Sequence, residues 1–432
     1  MSRGSIVLLA GASFAAFATL ATAADNNAPG AGNALAVEIS GKSALVKSAK
    51  AFIDQRIAEI KDDKIRAATQ DAIDNPQTCV RHRAGVDAAA KTRILDALKA
   101  AGLVDIADDG KFPGGLLAGV FPPVVDDGTD CPHLPQPFGS APAGVWGGHH
   151  SFPGGLAVHE AFNLSSDLSL ADNYRRAYGH LGAGGLPERM PADAPTGTAD
   201  IAIDQDIMIG APIWHDWAKT MVFQWAADGS EFPELNFGGN GKTDKWGTAG
   251  DSKTGAHHIL SVAESMKRGL PPDFVITQAS AHAAPAEGQE YKVVNWVNAA
   301  AIIDRIDPVA AGYLARDAQG RLRLPALRQL ASVPIQQTLP DEPNMLVEYT
   351  LHNLSDADHT FTGTAVEEIQ VVLKAVAPRF GYDPGDVAAY NTKFRNPVLA
   401  AFSAERLQIL YTAGGIEAVA TEIGKLKQAG VI

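Results

Sequence analysis

"IWHDWAKTMVFQW" (residues 213–225) sets a histidine and an aspartate side by side inside a run of bulky apolar residues. It closes a longer segment, 199–225, whose Ile201, Ile203, Ile207, Met208, Ile209, Ile213, Trp214, Trp217, Met221 and Val222 cover nearly the whole circumference of a helix. A helix that is apolar all round belongs at the centre of a core, so the stretch predicts a buried central helix. Burial of His215 and Asp216 there is strongly unfavourable unless something satisfies them. Lys219 stands one turn beyond His215 on the same face.

The flanking sequence continues the helical reading. Segments 155–178, 255–268, 271–284, 288–306, 322–332, 364–377, 384–401, 403–413 and 415–428 have helical length and spacing, and only "NMLVEYTLHN" (344–353) alternates like a strand. Upstream, helical periodicity begins near Ser43 and runs to Ile73, with Leu45, Ala49, Ile53, Ile57 and Ile60 as its stripe. A second helix closes on Gly102, and 111–148 is a loop dense in Pro and Gly. No βαβ rhythm or Gly-rich phosphate loop is present. The expectation is an all-α protein with a helical region and loop at 24–140, a core region at 141–315 and a C-terminal helical region at 316–432. Residues 24–36, "ADNNAPGAGNALA", have the composition of a loosely held linker.

The chain has 432 residues and a net charge of −13, with no Lys/Arg-rich run, which argues against bulk nucleic-acid binding. Residues 1–23 have a positive charge at Arg3, an apolar stretch from Ile6 to Leu20 and a small-residue cleavage site at Ala-Thr-Ala. This pattern predicts a secretory signal peptide, a periplasmic or secreted mature protein and no membrane attachment once it is removed. Cys79 and Cys131 suit an oxidising compartment. A bridge between them would close a loop of about 53 residues, worth roughly 4 kcal/mol on the chain-entropy model.

Other polar residues repeat the anomaly of the His-Asp pair. His159 follows Leu156 by three residues, and His257-His258 opens a helix containing Ile259, Leu260, Val262 and Met266. His282 extends the stripe Val275–Ala279, and Asp304 extends Val293–Val297–Ala300 with no Lys or Arg three or four residues away. Imidazoles and carboxylates on inward faces of several helices predict convergence on shared metal ions.

This order of residues resembles the HD-domain metal-dependent phosphohydrolase superfamily in its two-metal variant. "HHSFPGGLAVHE", "HDWAK", "HILSVAESMKRGLP" followed by "ASAH", and "AIIDRIDP" are similar to that family's motifs. The resemblance covers about residues 144–313 and implies an HD-domain helical bundle core. Carried over, it implies that Asp216 bridges two divalent ions (Mn, Fe or Zn), that His159, His215 and Asp304 complete one site, and that His258 and His282 complete the other, with His257 as the alternative to His258. Lys219 would contact substrate or protonate a leaving oxygen, and His149 or His150 would line the pocket. The insertion at residues 223–255 departs from the family pattern and is expected to form a loop over the metal mouth.

The function implied is hydrolysis of a small phosphate ester, as a phosphomonoesterase or phosphodiesterase, by a metal-activated water. Two other readings use the same ligands: a di-iron oxygenase, and a non-enzymatic binding protein with structural metals.

Overall fold

The structure, a computed structural model, describes residues 28–145, 147–328 and 345–432. The expected signal peptide lies outside the described residues. Within them 56 % of the chain is helical and 4 % strand, so the all-α expectation holds at the level of class.

In chain order the main helices are α1 (Asn33–Lys42), α2 (Ala44–Ile57), α3 (Asp63–Asp74), α4 (Ala88–Ala100), α5 (Gly115–Val120), α6 (Gly155–Tyr178), α7 (Gln205–His215), α8 (Lys219–Val222), α9 (Ala256–Lys267), α10 (Pro272–Ala279), α11 (Glu290–Asp304), α12 (Val347–Ser355), α13 (His359–Val376), α14 (Asn396–Phe402) and α15 (Ala404–Gln428). Side-chain caps set several of their starts. Ser43, Asp62, Asp87 and Asp204 accept backbone N–H groups that open α2, α3, α4 and α7.

The centre is α7, every residue of which is buried from Ile207 to His215. It packs on α6, α10, α3 and α12. Gly210 permits the close approach to α10, since a Cβ there would stand 2.5 Å from the Phe274 ring. The indoles of Trp214 and Trp217 donate to Thr69 Oγ1 (2.9 Å) and the Ala72 carbonyl (3.0 Å), tying α7 to α3. One apolar cluster extends from Val46 to Tyr349; a second joins Phe152 to α13, α14 and α15. Both cross the divisions expected at 140 and 315, the first joining α2–α4 and α12 to the central helices and the second joining Phe152 to the C-terminal helices. Cys79 and Cys131 form the expected disulfide, with Cα atoms 5.4 Å apart. No helix among the described residues is long and apolar enough to cross a membrane.

Several local expectations are corrected. Residues 33–36, expected as linker, belong to α1; Gly30 and Gly32 N–H groups donate to the Trp225 carbonyl (3.1 and 2.9 Å), anchoring it. The stretch from Ser43 to Ile73 is two helices, broken where Asp62 caps α3. "NMLVEYTLHN" carries α12, not a strand, because its buried positions Glu348, Tyr349, Leu351, His352 and Ser355 follow the helical period. Residues 322–323 pair with 315–316 as a short hairpin, and 324–328 are loop and turn instead of the expected helix; 329–332 lie outside the described residues. The segment 199–225 is interrupted at Asp216, and that interruption shapes the site.

Candidate metal centre

α7 contains Pro212, and its backbone leaves helical geometry at Asp216 (φ −109°, ψ 3°), which caps its C-terminus. With the helix ended, the Pro212 carbonyl is free to accept from His215 Nδ1 at 2.8 Å. That hydrogen bond puts the proton on Nδ1 and leaves the Nε2 lone pair facing Asp216. Four other segments bring side chains to the same point: His159 from the second turn of α6, His257 from the first turn of α9, His282 from the turn after α10, and Asp356 from the end of α12.

The atoms fall into two halves. In one, His159 Nε2 lies 3.3 Å from both Asp216 Oδ2 and Asp356 Oδ1, and His215 Nε2 lies 3.5 and 3.4 Å from the same two oxygens. In the other, His257 Nε2 is 3.1 Å from Asp216 Oδ1, and His282 Nε2 is 4.0 Å from Asp356 Oδ2. Asp216, His257 and His282 present ligand atoms within 4.8 Å of one another, as do His159, His215 and Asp216, and His215, His282 and Asp356. Neighbouring ligand atoms around one cation with bonds of about 2.0–2.2 Å stand roughly 3.0–3.5 Å apart, so the spacings of the first half fit a shared ion.

The Nδ1 atoms of His257 and His282 are hydrogen-bonded elsewhere, whereas that of His159 has a carboxylate nearby but no hydrogen bond. His257 Nδ1 faces Glu234 Oε2 at 2.7 Å, His282 Nδ1 faces Thr254 Oγ1 at 2.7 Å, and His159 Nδ1 lies 3.5 Å from Asp358 Oδ1. His215 Nε2, His257 Nε2 and both oxygens of Asp216 are buried without a hydrogen-bond partner. Lys219 pairs with Asp216 and donates to the Ala143 carbonyl, and the Asn163 amide lies 3.1 Å from His159 Nε2 and 3.3 Å from Asp356 Oδ1, yet one ammonium and one amide cannot satisfy two carboxylates and four imidazoles. Buried lone pairs left open in this number are unfavourable unless a cation takes them. The buried His/Asp groups are able to hold a metal ion.

The electrostatics agree. Burial disfavours a charged His215, but the carboxylates of Asp216, Glu160 and Asp356 outweigh it and push the imidazole up to about 10. Burial likewise opposes a charged Asp216, yet His215, Lys219 and His257 hold it well below the usual carboxylate range; Asp356 is held down by His215 and His159. The carboxylates are thus anionic and draw positive charge into the site, as imidazolium protons or as a metal ion.

Of the residues expected at a metal site, the fold brings together His159, His215, Asp216, His282 and Lys219, and His149 lines the cavity above them. His257 rather than His258 faces Asp216. His258 is turned inward, its Nε2 3.0 Å from the Ala279 carbonyl and its ring stacked on His282 with centroids 4.1 Å apart. Asp304 is corrected more fully. Although completely buried, it joins none of these groups; the nearest charges acting on it are Lys267, Glu264 and Arg305, and burial pushes its carboxyl well above the usual range. His150 is buried behind His159, beside Glu405.

The position expected for Asp304 is taken by Asp356, in the region set apart as a C-terminal extension. "LHNLSDADH" carried the signal: read as a helix, it places His352 and Asp356 on one face. Asp358, His359, Asn353 and Glu234 were missed as well. The insertion is not a loop over the mouth. It runs beneath, where Glu234 and Thr254 hold His257 and His282, while Phe237 pairs across Asn236–Phe237 and Thr254–Gly255 and is buried. The mouth is formed instead by Ala281, Asn353, Ala357 and His359, around a cavity of about 440 Å³ that also meets His149, Lys219 and Asp216.

Comparison with protein-family models, characterised proteins and solved structures finds no match. The fold and site therefore define a class only: an all-α protein with a buried histidine–carboxylate centre able to hold metal.

Proposed function

We propose that the protein is a metal-dependent phosphohydrolase of the HD-domain type, acting on a small phosphate ester outside the cytoplasm. The observation that carries the reading is the sharing of two carboxylates, Asp216 and Asp356, between two histidine pairs at the floor of an open cavity. His159 and His215 would hold one divalent ion and His257 and His282 a second, with N/O donors suited to Mn²⁺, Fe²⁺ or Zn²⁺. Bound there, such ions offset phosphoryl charge and lower the pKa of a water from about 16 toward 7.

The chain's own residues do the rest. Asp216 and Asp356 supply the negative charge that retains both cations. Glu234, Thr254 and the Pro212 carbonyl fix the orientation of His257, His282 and His215. Lys219, at the cavity wall, orients a phosphoryl oxygen by its ammonium, while His149 and His359 line the same space. The disulfide and the sequence of residues 1–23 support an exported enzyme.

The test is a panel of phosphomonoesters and phosphodiesters assayed with the purified protein, with and without chelator. Activity that chelator abolishes and added metal restores is expected. Undiminished turnover in chelator would refute the proposal, and oxygen consumption by an iron-loaded sample would move the site to the oxygenase reading.

A further inference from the structure

Behind His159, on the side away from Asp216, lies a second concentration of unpaired donors. One ring nitrogen from each of His149, His150 and His159 lies within 4.8 Å of the others. The ring centroids are 5.9 Å apart for His149 and His150, 4.7 Å for His149 and His159, and 5.3 Å for His150 and His159. The Nδ1 atoms of all three are buried with no hydrogen-bond partner, as are Asp358 Oδ1 and Glu405 Oε1. Asp358 Oδ1 stands 3.5 Å from His159 Nδ1, and Glu405 Oε1 stands 3.5 Å from His150 Nε2. His150 is only 4 % exposed and His159 not at all.

The cluster is held rigidly. Arg395 donates to the Ser151 carbonyl and hydroxyl at 2.9 and 3.0 Å, fixing the loop just after His150. Gly155 lets that loop fold onto the start of α6: a Cβ there would lie 1.9 Å from the His150 carbonyl oxygen. The carboxylates arrive from separate elements, Asp358 from the turn before α13 and Glu405 from the first turn of α15. Three imidazoles converge, with Glu405 standing against His150 and Asp358 against His159, and Lys219, the ammonium on the cavity wall, is paired with Asp216 and the Ala143 carbonyl. A divalent cation satisfies such a set: imidazole nitrogens supply lone pairs, and two carboxylates balance its charge.

We infer that His149 and His150, with the Nδ1 side of His159, form a third cation site for a divalent transition-metal ion, its charge balanced by Glu405 beside His150 and Asp358 beside His159. His159 keeps Nε2 toward Asp216 and Asp356, and its Nδ1 faces Asp358, so the imidazole stands between the two loci. His149 belongs both to this cluster and to the cavity wall. An ion held there adds positive charge at the end of the cavity, where it would anchor an anionic group of the ligand. The inference needs metal binding but no particular reaction, so it goes beyond the hydrolase reading.

The test counts ions. Metal-free full-length protein is dialysed against Mn²⁺ or Zn²⁺ and its bound metal measured by elemental analysis, with thermal melting as the check on folding. Three ions per chain are expected, falling to two in His150→Gln and in Glu405→Gln. Asp216→Asn should keep the third ion while losing those of the pair. Two ions in the wild-type protein, unchanged by His150→Gln, would overturn the third site and leave the binuclear reading standing. One ion lost on His150→Gln but retained in Asp216→Asn would do the reverse. If His150→Gln does not fold, Glu405→Gln, an isosteric change at a partly exposed residue, decides alone: three ions retained there overturn the inference.

Discussion

Asp216 Oδ2 and Asp356 Oδ1 stand at matching distances from the same two imidazoles, 3.3 and 3.5 Å against 3.3 and 3.4 Å. Two carboxylates from opposite ends of the core thus occupy equivalent places around His159 and His215. Their remaining oxygens turn toward His257 and His282. The equivalence makes Asp356 as necessary to the centre as the aspartate of the HDWAK stretch.

Asp356→Asn should therefore release metal as readily as Asp216→Asn, each weakening affinity by more than the ~10–100-fold typical of losing an outer-shell partner. Asp304→Asn should leave the metal content unchanged. Elemental analysis of the three variants decides, and loss of metal from Asp304→Asn would contradict the site as assigned.

Glu234 acts on the centre through His257, accepting from its Nδ1 at 2.7 Å. Glu234→Ala removes that acceptor, and one ion should bind about 10–100-fold more weakly while the other is little changed. Glu234→Gln keeps an acceptor oxygen and should fall between. Titration calorimetry resolves the two affinities; equal weakening of both ions, or of neither, would be the contrary result.

Glu231 predicts a pH dependence of stability away from the site. It is fully buried, and desolvation, partly offset by Arg395, pushes its carboxyl up to about 8 from an ordinary value of 4.5. A raised carboxyl means that the folded chain retains a proton the unfolded chain releases. Stability from this group is whole below about pH 4.5, falls as pH rises toward about 8, and is level beyond. The slope in that window is on the order of 1.4 kcal/mol per pH unit. Glu231→Gln should remove it, so urea midpoints of variant and wild type should diverge with rising pH; parallel profiles would count against the buried carboxyl.

The Cys79–Cys131 bridge spans 52 positions of sequence, and the Cys79 carbonyl accepts from Arg268 at 3.0 Å. Replacing both cysteines by serine should lower unfolding free energy by roughly 4 kcal/mol, chiefly by freeing the unfolded chain. Denaturant unfolding measures it, and a change below about 1 kcal/mol would mean that the unfolded state is already confined.

Much of the centre was legible because polar residues stand out against apolar periodicity: His159, the His215-Asp216 pair and His282 all interrupt stripes, the first three buried and His282 left partly open to the cavity. Asp304 interrupts a stripe just as plainly and is just as buried, yet the charges that act on it are those of Lys267 and Glu264, not those of the centre. Periodicity tells inward from outward and does not tell one side of a core from another. Asp356 went unseen because α12 was read at a period of two, which separates His352 from its partner one turn on. The choice between His257 and His258 is a rotation of about 100° on one helix, decided by the Glu234 contact.

By itself, then, the sequence determined the helical class, the central place of α7 and the identity of the centre's imidazoles and of Asp216. These follow from hydropathy and local hydrogen bonding, which act over a turn or two. Only the tertiary structure decided which of those groups meet, that α12 closes the ring in place of α11, and that the insertion supports the centre from below. Convergence depends on how whole helices cross and where their ends fall, and those positions come from packing the entire core at once.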